Sequence, residues 1–412
     1  MTLRPYQEEG VRWLTGGRVR GLAFDAGLGK TITAVTAAQQ VRKPVTVVCP
    51  AALVRWWERH FDAGALKTGY VEVCSYGKFA SSRSMIGRVL IVDESHYVKN
   101  PLARRTKNVI EAAKLASHTW FLSATPATNS PLDYYVPLSL VAKLPPQFVW
   151  IRQYCDVTID PLFGSIKVWR YKPGAKEQLR EMLKKVWLFR RWSDVADQVP
   201  EITWEEFPLD DAEAKRQMDR IVHEVPELQQ SVEWMMEHQT NLTRIRHLLG
   251  ITKAAAVAGF IRQKLERGWR DERLVVYCEF HDSLNLIHSQ LASVAPLVVQ
   301  YTGDMSPTKR EAALDIWKRT PGSVLLVQIR AGGVGLNLPE ARIAIIAEGT
   351  WSPADWYQAA SRLRRMDKPH PVLVVCPYIE DTVDEAVVRT VARKAALCNI
   401  QLGGRHDYLP RK

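Results

Sequence analysis

The stretch GLAFDAGLGKTITAVTAAQQV (residues 21–41) decides the fold. It predicts a short strand, a turn of small residues and a helix that opens near Lys30. Phosphate binds well at such a turn, because the first N–H groups of a helix lack intrahelical partners and the helix dipole is positive there. Gly27 and Gly29 let the backbone approach a phosphate closely. The pattern predicts that Lys30 bridges terminal phosphates and that the Thr31 hydroxyl holds Mg²⁺; the alternative is an ordinary helix N-cap.

A second stretch, VLIVDESH (89–96), ends a buried strand in two adjacent carboxylates, Asp93 and Glu94. At a strand end, an Asp can bind the hydration shell of a metal, and a Glu can orient or deprotonate an attacking water. A solvated loop with two acids is the alternative. The G-K-T helix upstream favours the catalytic interpretation.

Short β-branched runs alternate with helical patterns in two parts of the chain, which is typical of parallel sheets covered by helices on both faces. Ligands of such sheets bind at the carboxyl ends of the strands. The strand-like runs lie at 45–50, 71–76, 88–94 and 119–125 in the first part, and at 273–277, 297–303, 323–328, 342–348 and 371–376 in the second.

The segment between these parts is rich in Trp, Glu and helix formers and lacks regular strand patterns. Residues 160–192 carry nine Lys/Arg against three Asp/Glu, whereas residues 193–240 carry thirteen acids against three bases. We therefore expect an α/β fold of two parallel-sheet lobes in tandem, joined by a mostly helical insertion. The expected domains are 1–140, 141–250 and 251–412.

Composition describes an ordinary globular chain of 412 residues with 46% apolar and 24% charged residues. No apolar run is long enough for a membrane span, and the N-terminus has no signal-peptide core. The six cysteines are widely spaced, which predicts reduced thiols and no metal site. The formal charge of +12 favours a polyanionic partner such as nucleic acid.

The order of motifs along the chain resembles superfamily 2 helicases, specifically the SNF2-like double-stranded-DNA translocases. FDAGLGKT resembles motif I, DESH motif II and LSATP motif III; the family also lacks the early glycine of the common phosphate-loop pattern, whose place Phe24 takes here. The remaining matches are LRPYQ (3–7), VVCPAALVRWWERHF (47–61), SYGKF (75–79), LFRRWSDVADQVPEITWEEFPL (188–209), LVVYCEFHDSLNLI (274–287), IRAGGVGLNL (329–338) and WSPADWYQAASRLRRMD (351–367).

The resemblance implies RecA-like lobes, ATP with Mg²⁺, and a set of site residues. Arg365 would be the arginine finger that stabilises charge on the transferring phosphoryl group, and Arg362 a γ-phosphate contact; a spacing of three places both on one helix face. A solvated basic face or a DNA phosphate site is the alternative for these arginines. The implied catalytic residues are Lys30, Asp93, Glu94, Arg362 and Arg365, the nucleotide-binding residues are Gln7, Gly27, Leu28, Gly29, Lys30, Thr31 and Gly335, and the metal-binding residues are Thr31 and Asp93.

Some residues depart from the family pattern or have two interpretations. Phe24 replaces an acid, Ser352 replaces an Asn, Gln328 stands where Ser or Thr is common, and RRMDK replaces R-I-G-Q. The hydroxyls of Ser123 and Thr125 are expected to relay between motif II and DNA, or to cap the next helix. We expect Trp56, Trp57, Trp351 and Trp356 to be core residues rather than base-stacking groups, whereas the basic stretch 160–192 is either an extra DNA contact or a solvated face.

These features predict a DNA-stimulated ATPase that translocates along DNA and remodels or unwinds branched or forked DNA. The expected partner is double-stranded or branched DNA held mainly by its backbone, with the protein a monomer inside the cell (cytoplasmic in a bacterium or phage, nuclear in a eukaryote) and with a partner protein in replication or repair. A strand-separating DNA or RNA helicase, a motor subunit that needs a partner, and a metabolic phosphate-loop enzyme remain alternatives.

Overall fold

A computed structural model of the chain describes residues 3–25, 27–63, 70–80, 83–124, 126, 131–159, 166–195, 201–237, 242–329, 336–364 and 370–403. Contacts divide the chain into two compact units, the first ending at Asp197 and the second running from Gln198 to Leu402. Each unit is built on a six-stranded parallel sheet. The predicted class of two RecA-like parallel-sheet lobes is therefore confirmed.

The strands of the first unit are β1 Val19–Phe24, β2 Val45–Cys49, β3 Val71–Ser75, β4 Val89–Asp93, β5 His118–Ser123, β6 Cys155–Ile159, β7 Ile166–Tyr171 and β8 Trp187–Arg190. The strands of the second unit are β9 Ile202–Leu209, β10 Leu274–Cys278, β11 Val298–Tyr301, β12 Val324–Gln328, β13 Ile343–Ile346 and β14 Val372–Ile379.

The helices of the first unit are α1 Pro5–Thr15, α2 Lys30–Val41, α3 Val54–Ala63, α4 Arg104–Leu115, α5 Tyr135–Ser139, α6 Gln147–Tyr154, α7 Ala175–Lys184 and α8 Trp192–Val195. The helices assigned mainly to the second unit are α9 Ala212–Glu224, α10 Val232–Glu237, α11 Thr243–Arg267, α12 His281–Leu291, α13 Pro307–Arg319, α14 Pro353–Ser361 and α15 Val383–Gly403.

The interior strands follow from their continuous apolar runs. Every residue of β2, β4, β10 and β13 is buried, as expected for strands that helices cover on both faces. The first sheet has the order β3-β2-β4-β5-β1-β8, and the second has the order β11-β12-β10-β13-β14-β9. Since the strands within each sheet are parallel, the loops after β1, β4 and β5 emerge at one edge of the first sheet.

Residues 141–250 differ from the helical insertion that the sequence suggested. β8 pairs with β1 at the edge of the first sheet, and β9 pairs with β14 at the edge of the second. β8 has only four residues, and β9 carries the polar residues Thr203, Glu205 and Glu206, which an edge strand with one neighbour tolerates. Neither strand therefore stands out as an interior strand does. A separate antiparallel pair, β6 and β7, adds a third small sheet.

α11, which precedes β10 in the chain, is a 25-residue helix. Its buried face carries two cations, Arg246 and Lys253, which are 3% and 4% exposed. Both contact acidic groups of the second unit. Within the described ranges, no helix is long and apolar enough to cross a bilayer.

Gly21 allows β8 to lie against β1. The ring of Trp187 occupies the space where a side chain at position 21 would begin, because a Cβ there would lie 2.5 Å from Trp187 Cε3. Trp187 is itself buried at 2% exposure.

We therefore expect Gly21→Ala to lower the free energy of unfolding by about 1–3 kcal/mol through overpacking, measured by denaturant titration. Gly77→Ala, at an exposed position with no atom within 4 Å of its Cβ, is the control; equal stabilities of the two variants would contradict this account.

Candidate active site

The turn between β1 and α2 has the geometry that the sequence predicted for a phosphate loop. Gly27 and Gly29 have left-handed φ values of 86° and 77°, and Gly29 is the N-cap of α2. No side chain caps this helix, and no acid lies in its first turn. The positive end of α2 is therefore presented to the loop with no acidic residue in the first turn of the helix.

Side chains of helix α1 hold the phosphate loop in place by hydrogen bonds. The carbonyl of Leu28 accepts hydrogen bonds from Tyr6 Oη at 3.0 Å and Gln7 Nε2 at 3.2 Å. Leu28 is fully buried, and a Cβ on Gly29 would lie 2.4 Å from Gln7 Nε2. Glycine is therefore needed at position 29 for two reasons: its φ is left-handed, and the side chain of Gln7 occupies the space where a Cβ would lie. The role of Gln7 in contacting adenine stays a prediction.

Phe24 stands where the family has an acid because it is a core residue in this chain. Its side chain is fully buried, with its ring 5.9 Å from the ring of Tyr6. Gly10 on α1 makes room for it, since a Cβ there would lie 3.1 Å from Phe24 Cζ. The side chain therefore belongs to the packing beneath α1.

Lys30 extends across the loop. Its Nζ donates to the carbonyls of Phe24 at 2.7 Å and Asp25 at 3.4 Å. Asp25 in turn accepts the backbone N–H of Trp192 at 3.0 Å through Oδ2, which ties the loop to the start of α8. Thr31 follows in the first turn of α2 and is partly exposed, so its hydroxyl can reach a ligand at the loop.

Asp93 and Glu94 lie at the end of β4 and are 6% and 7% exposed. Asp93 Oδ2 accepts a hydrogen bond from Trp57 Nε1 at 2.8 Å, and its Oδ1 accepts the N–H of Glu94 at 2.9 Å. Burial and the charge of Glu94 raise the pKa of Asp93 to about 7, although the Trp57 hydrogen bond and the Lys30 ammonium act in the opposite direction. The carboxylate is therefore within electrostatic range of Lys30.

Glu94 adopts a left-handed backbone, with φ 48° and ψ 55°. Non-glycine residues rarely do so, and such strain is common at functional sites. Nδ1 of His96 lies 3.5 Å from Glu94 Oε2 and 3.5 Å from Ser123 Oγ. His96, the last residue of motif II, thus faces Ser123 of motif III, where the sequence predicted a relay through Ser123. Thr125 lies outside the described residues.

The oxygen donors of this site suit Mg²⁺. Magnesium is usually held by one or two protein groups together with substrate phosphates, rather than by a cage of protein ligands. The Thr31 hydroxyl and the Asp93 carboxylate are hard oxygen donors of this kind. In the part of the chain that the structure describes, no cluster of three or more His, Cys, Asp or Glu side chains could hold a metal by itself.

In the second unit, α14 ends at Ser361, and Arg362 is its C-cap, with φ −70° and ψ −22°. Arg362 therefore lies at the end of this helix rather than within it. Arg365 and Gly335 lie outside the described residues, so a face shared by Arg362 and Arg365 stays a prediction. Arg364 is buried at 4% exposure and Arg362 is partly buried, so neither of these two arginines is a fully solvated surface residue. The carbonyl of Arg362 accepts the N–H of Leu338 at 2.9 Å.

Gln328 joins three strand ends of the second sheet. Its Oε1 accepts the N–H of Gly303 after β11 at 3.0 Å, and its Nε2 donates to the carbonyl of Glu279 after β10 at 3.3 Å. The shorter side chains of Ser and Thr have a single hydroxyl and would not span these two groups. This departure from the family pattern is thus a structural bridge.

Sequence reasoning missed a group of buried charges around α11. Arg246 pairs with Glu279, and Lys253 Nζ lies 2.9 Å from Asp384 Oδ1. These residues were difficult to recognise because the partners are distant in sequence. The only available signal was cations within the apolar pattern of α11.

Glu348, at the end of β13, completes this group. Its Oε2 accepts the N–H of Phe280 at 3.1 Å, whereas its buried Oε1 has no hydrogen-bond partner among the described residues. Gly250 on α11 makes room for it, because a Cβ there would lie 1.7 Å from Oε1. Burial raises the pKa of Glu348 to about 7. A small cavity beside it, with room for about one water, is lined by Arg246, Lys253, Trp351, Trp356 and Asp384 among others.

The tryptophans are mainly core residues, as predicted. Trp57, Trp351 and Trp356 are 0%, 7% and 2% exposed, respectively. Trp56 is partly exposed and lies against His60, with ring centroids 4.0 Å apart. The N–H of Trp57 contacts Asp93, a predicted site residue, and no local sequence pattern indicates that contact.

Comparisons with known families agree with the two halves of this arrangement. Residues 68–218 match the SNF2-related domain, and residues 258–367 match the helicase conserved C-terminal domain. In these two stretches the chain is therefore similar to SNF2-related helicases.

Two curated relatives are similar over nearly the whole chain. The mouse protein named DNA annealing helicase and endonuclease ZRANB3 is 24% identical over 99% of this chain and 41% of its own length. A Caenorhabditis elegans homolog of SWI/SNF-related matrix-associated actin-dependent regulator of chromatin subfamily A-like protein 1 is 26% identical over 95% of this chain and 61% of its own. The chain thus spans about two fifths to three fifths of these relatives.

Among solved structures, the Sulfolobus solfataricus SWI2/SNF2 ATPase core in complex with dsDNA is 18% identical, with a TM-score of 0.42. The similarity covers 98% of this chain and 94% of that one.

Glu348 makes stability depend on pH. Its folded pKa of about 7 lies above the ordinary value of 4.5, so the folded state binds the proton more tightly and loses stability as pH rises from about 4.5 through 7. We expect Glu348→Gln to remove this loss, so that its free energy of unfolding relative to wild type rises by up to about 3 kcal/mol between pH 5 and pH 8. Denaturant titrations at each pH measure this difference, with Glu224→Gln at an exposed position of α9 as control. A Glu348→Gln curve parallel to wild type would contradict the burial argument.

Proposed function

We propose that this chain is a DNA-stimulated ATPase that moves along duplex DNA and remodels branched or forked DNA. The observation that carries the proposal is the convergence of Lys30, Asp93 and Glu94 at one edge of a parallel sheet. Lys30 opens the uncapped helix α2, and the two carboxylates end β4. This set combines a phosphate-binding helix end with acids suited to a metal and a water.

Each residue has a separate role in the proposed hydrolysis. Lys30 exchanges its carbonyl partners for the terminal phosphates, and the N–H groups at the start of α2 bind phosphate oxygens. Thr31 and Asp93 would hold Mg²⁺, which neutralises charge on the phosphates when bound. Glu94, whose Oε2 lies 3.5 Å from Nδ1 of His96, orients the attacking water and accepts its proton.

The proposed partner is DNA, held mainly by its phosphate backbone. The charge of +12 supports a polyanionic ligand, and the relative named as a DNA annealing helicase supports DNA as that ligand. Backbone contacts make binding insensitive to sequence and sensitive to salt. We propose that the protein acts as a monomer inside the cell, with a partner protein in replication or repair.

The experiment that tests this function compares ATP hydrolysis with single-stranded, duplex and forked DNA. We expect duplex and forked DNA to stimulate hydrolysis more than single-stranded DNA. Lys30→Ala should lower the stimulated rate by roughly 10²-fold or more, since it removes a charge on the transferring phosphates, while DNA binding in a mobility-shift assay is retained. Hydrolysis that no DNA stimulates would instead indicate a metabolic phosphate-loop enzyme, and substantial ATPase in Lys30→Ala would exclude this site.

Arg365 is the proposed arginine finger. We expect Arg365→Ala to retain ATP affinity and to lower the turnover rate by roughly 10³–10⁵-fold, the range of such fingers. Nucleotide affinity is measured by calorimetry and turnover by phosphate release. Arg319→Ala, at an exposed position of α13, is the control. A variant that fails mainly in ATP affinity would assign Arg365 to ground-state binding.

A further inference from the structure

The carboxylate of Asp93 is fixed by donors on both of its oxygens. Trp57 Nε1 donates to Oδ2 at 2.8 Å, and the N–H of Glu94 donates to Oδ1 at 2.9 Å. The hydroxyl of Tyr76 also donates to the backbone carbonyl of Asp93 at 2.7 Å. Of these three donors, only the indole N–H of Trp57 is a side-chain group that donates a hydrogen bond to the carboxylate itself.

The fold brings Trp57 to this position over a separation of 36 residues. β2 pairs with β4 so that Val48 lies opposite Val92, and the chain reaches α3 through a short 3₁₀ turn after β2. Trp57 is fully buried and stacks on Phe61, with ring centroids 5.8 Å apart. Packing therefore sets the direction of the indole N–H before any ligand arrives.

The hydrogen bond matters because Asp93 is buried beside a second carboxylate. An unpaired buried carboxylate is costly, and a hydrogen bond to a charged acceptor is stronger than one between neutral groups. An indole N–H donates without adding charge, so it orients the carboxylate without replacing the attraction between that carboxylate and a cation. A carboxylate held in this way retains lone pairs for a metal ion.

We infer that Trp57 is a positioning residue that orients the Asp93 carboxylate for Mg²⁺ bound with ATP. This inference rests on the proposed function, and it gives a role to a side chain otherwise explained by packing. Its effect is confined to the part of nucleotide affinity that depends on the metal. The affinity for metal-free ATP, which depends on Lys30 and the start of α2, should not change.

Two buried tryptophans of the first unit provide a matched comparison. Trp120 on β5 is fully buried like Trp57, but its Nε1 has no hydrogen-bond partner among the described residues. Trp57→Phe and Trp120→Phe remove the same atoms from the core, and only the first removes a donor to Asp93. Calorimetric titration of the full chain with ATP, with and without Mg²⁺, measures the gain in affinity that the metal provides.

We expect Mg²⁺ to increase ATP affinity by the same factor in wild type and in the control variant, Trp120→Phe. In Trp57→Phe this factor should fall about tenfold, the effect of one hydrogen bond to a charged group, while metal-free affinity is retained. Replacement of Trp57 by benzothienylalanine, which keeps the shape of the ring and lacks the N–H, should give the same loss and serves where Trp57→Phe does not fold. Equal factors in these variants and in Trp120→Phe would overturn the inference.

A double-mutant cycle tests whether Trp57 acts through Asp93. In an Asp93→Asn background, Trp57→Phe should cause no further loss of the metal-dependent factor, whereas independent, additive losses would overturn the inference. If wild type itself gains no ATP affinity from Mg²⁺, the proposed function fails. If wild type gains affinity and Trp57→Phe retains that gain, only the role of Trp57 fails.

Discussion

The first unit depends on the burial of two adjacent carboxylates at the end of one strand. The apolar run of β4 carries Asp93 and Glu94 into the interior, where charge is costly unless it is compensated. Trp57 donates to Asp93, and Lys30 lies within electrostatic range of it. The phosphate loop and α3 thus supply groups that compensate the charge of carboxylates buried at the end of β4.

In the second unit, buried charges are compensated by ion pairs. Arg246 with Glu279 and Lys253 with Asp384 are buried pairs around α11. Breaking one partner of such a pair is costly, because it leaves an uncompensated charge. Among the described residues, Oε1 of Glu348 has no hydrogen-bond partner, and burial raises the pKa of this carboxyl group. Both units therefore place a carboxyl group with a pKa near 7 after an interior strand of a parallel sheet.

The sequence predicted the interior strands of each sheet and the edge strands β3 and β11, but it missed the opposite edge strands, β8 and β9. Continuous apolar runs identify strands such as β4 and β10, because burial on both faces leaves no room for polar residues. β8 and β9 carry polar residues and were assigned to a helical insertion. The phosphate loop was predictable since its residues are neighbours in sequence. The contacts of Trp57 and Glu348 join distant segments, and no local pattern specifies such pairs.

Lys30 shows how the site is prepared before a ligand is present. Its ammonium already rests on the carbonyls at the end of β1, so arrival of a polyphosphate is an exchange of acceptors rather than the capture of a hydrated side chain. Much of the entropy of ordering a long, flexible lysine is therefore lost during folding rather than during binding. When Lys30 binds a phosphate, the carbonyls of Phe24 and Asp25 lose their donor. Nucleotide binding is therefore coupled to the backbone at the end of β1.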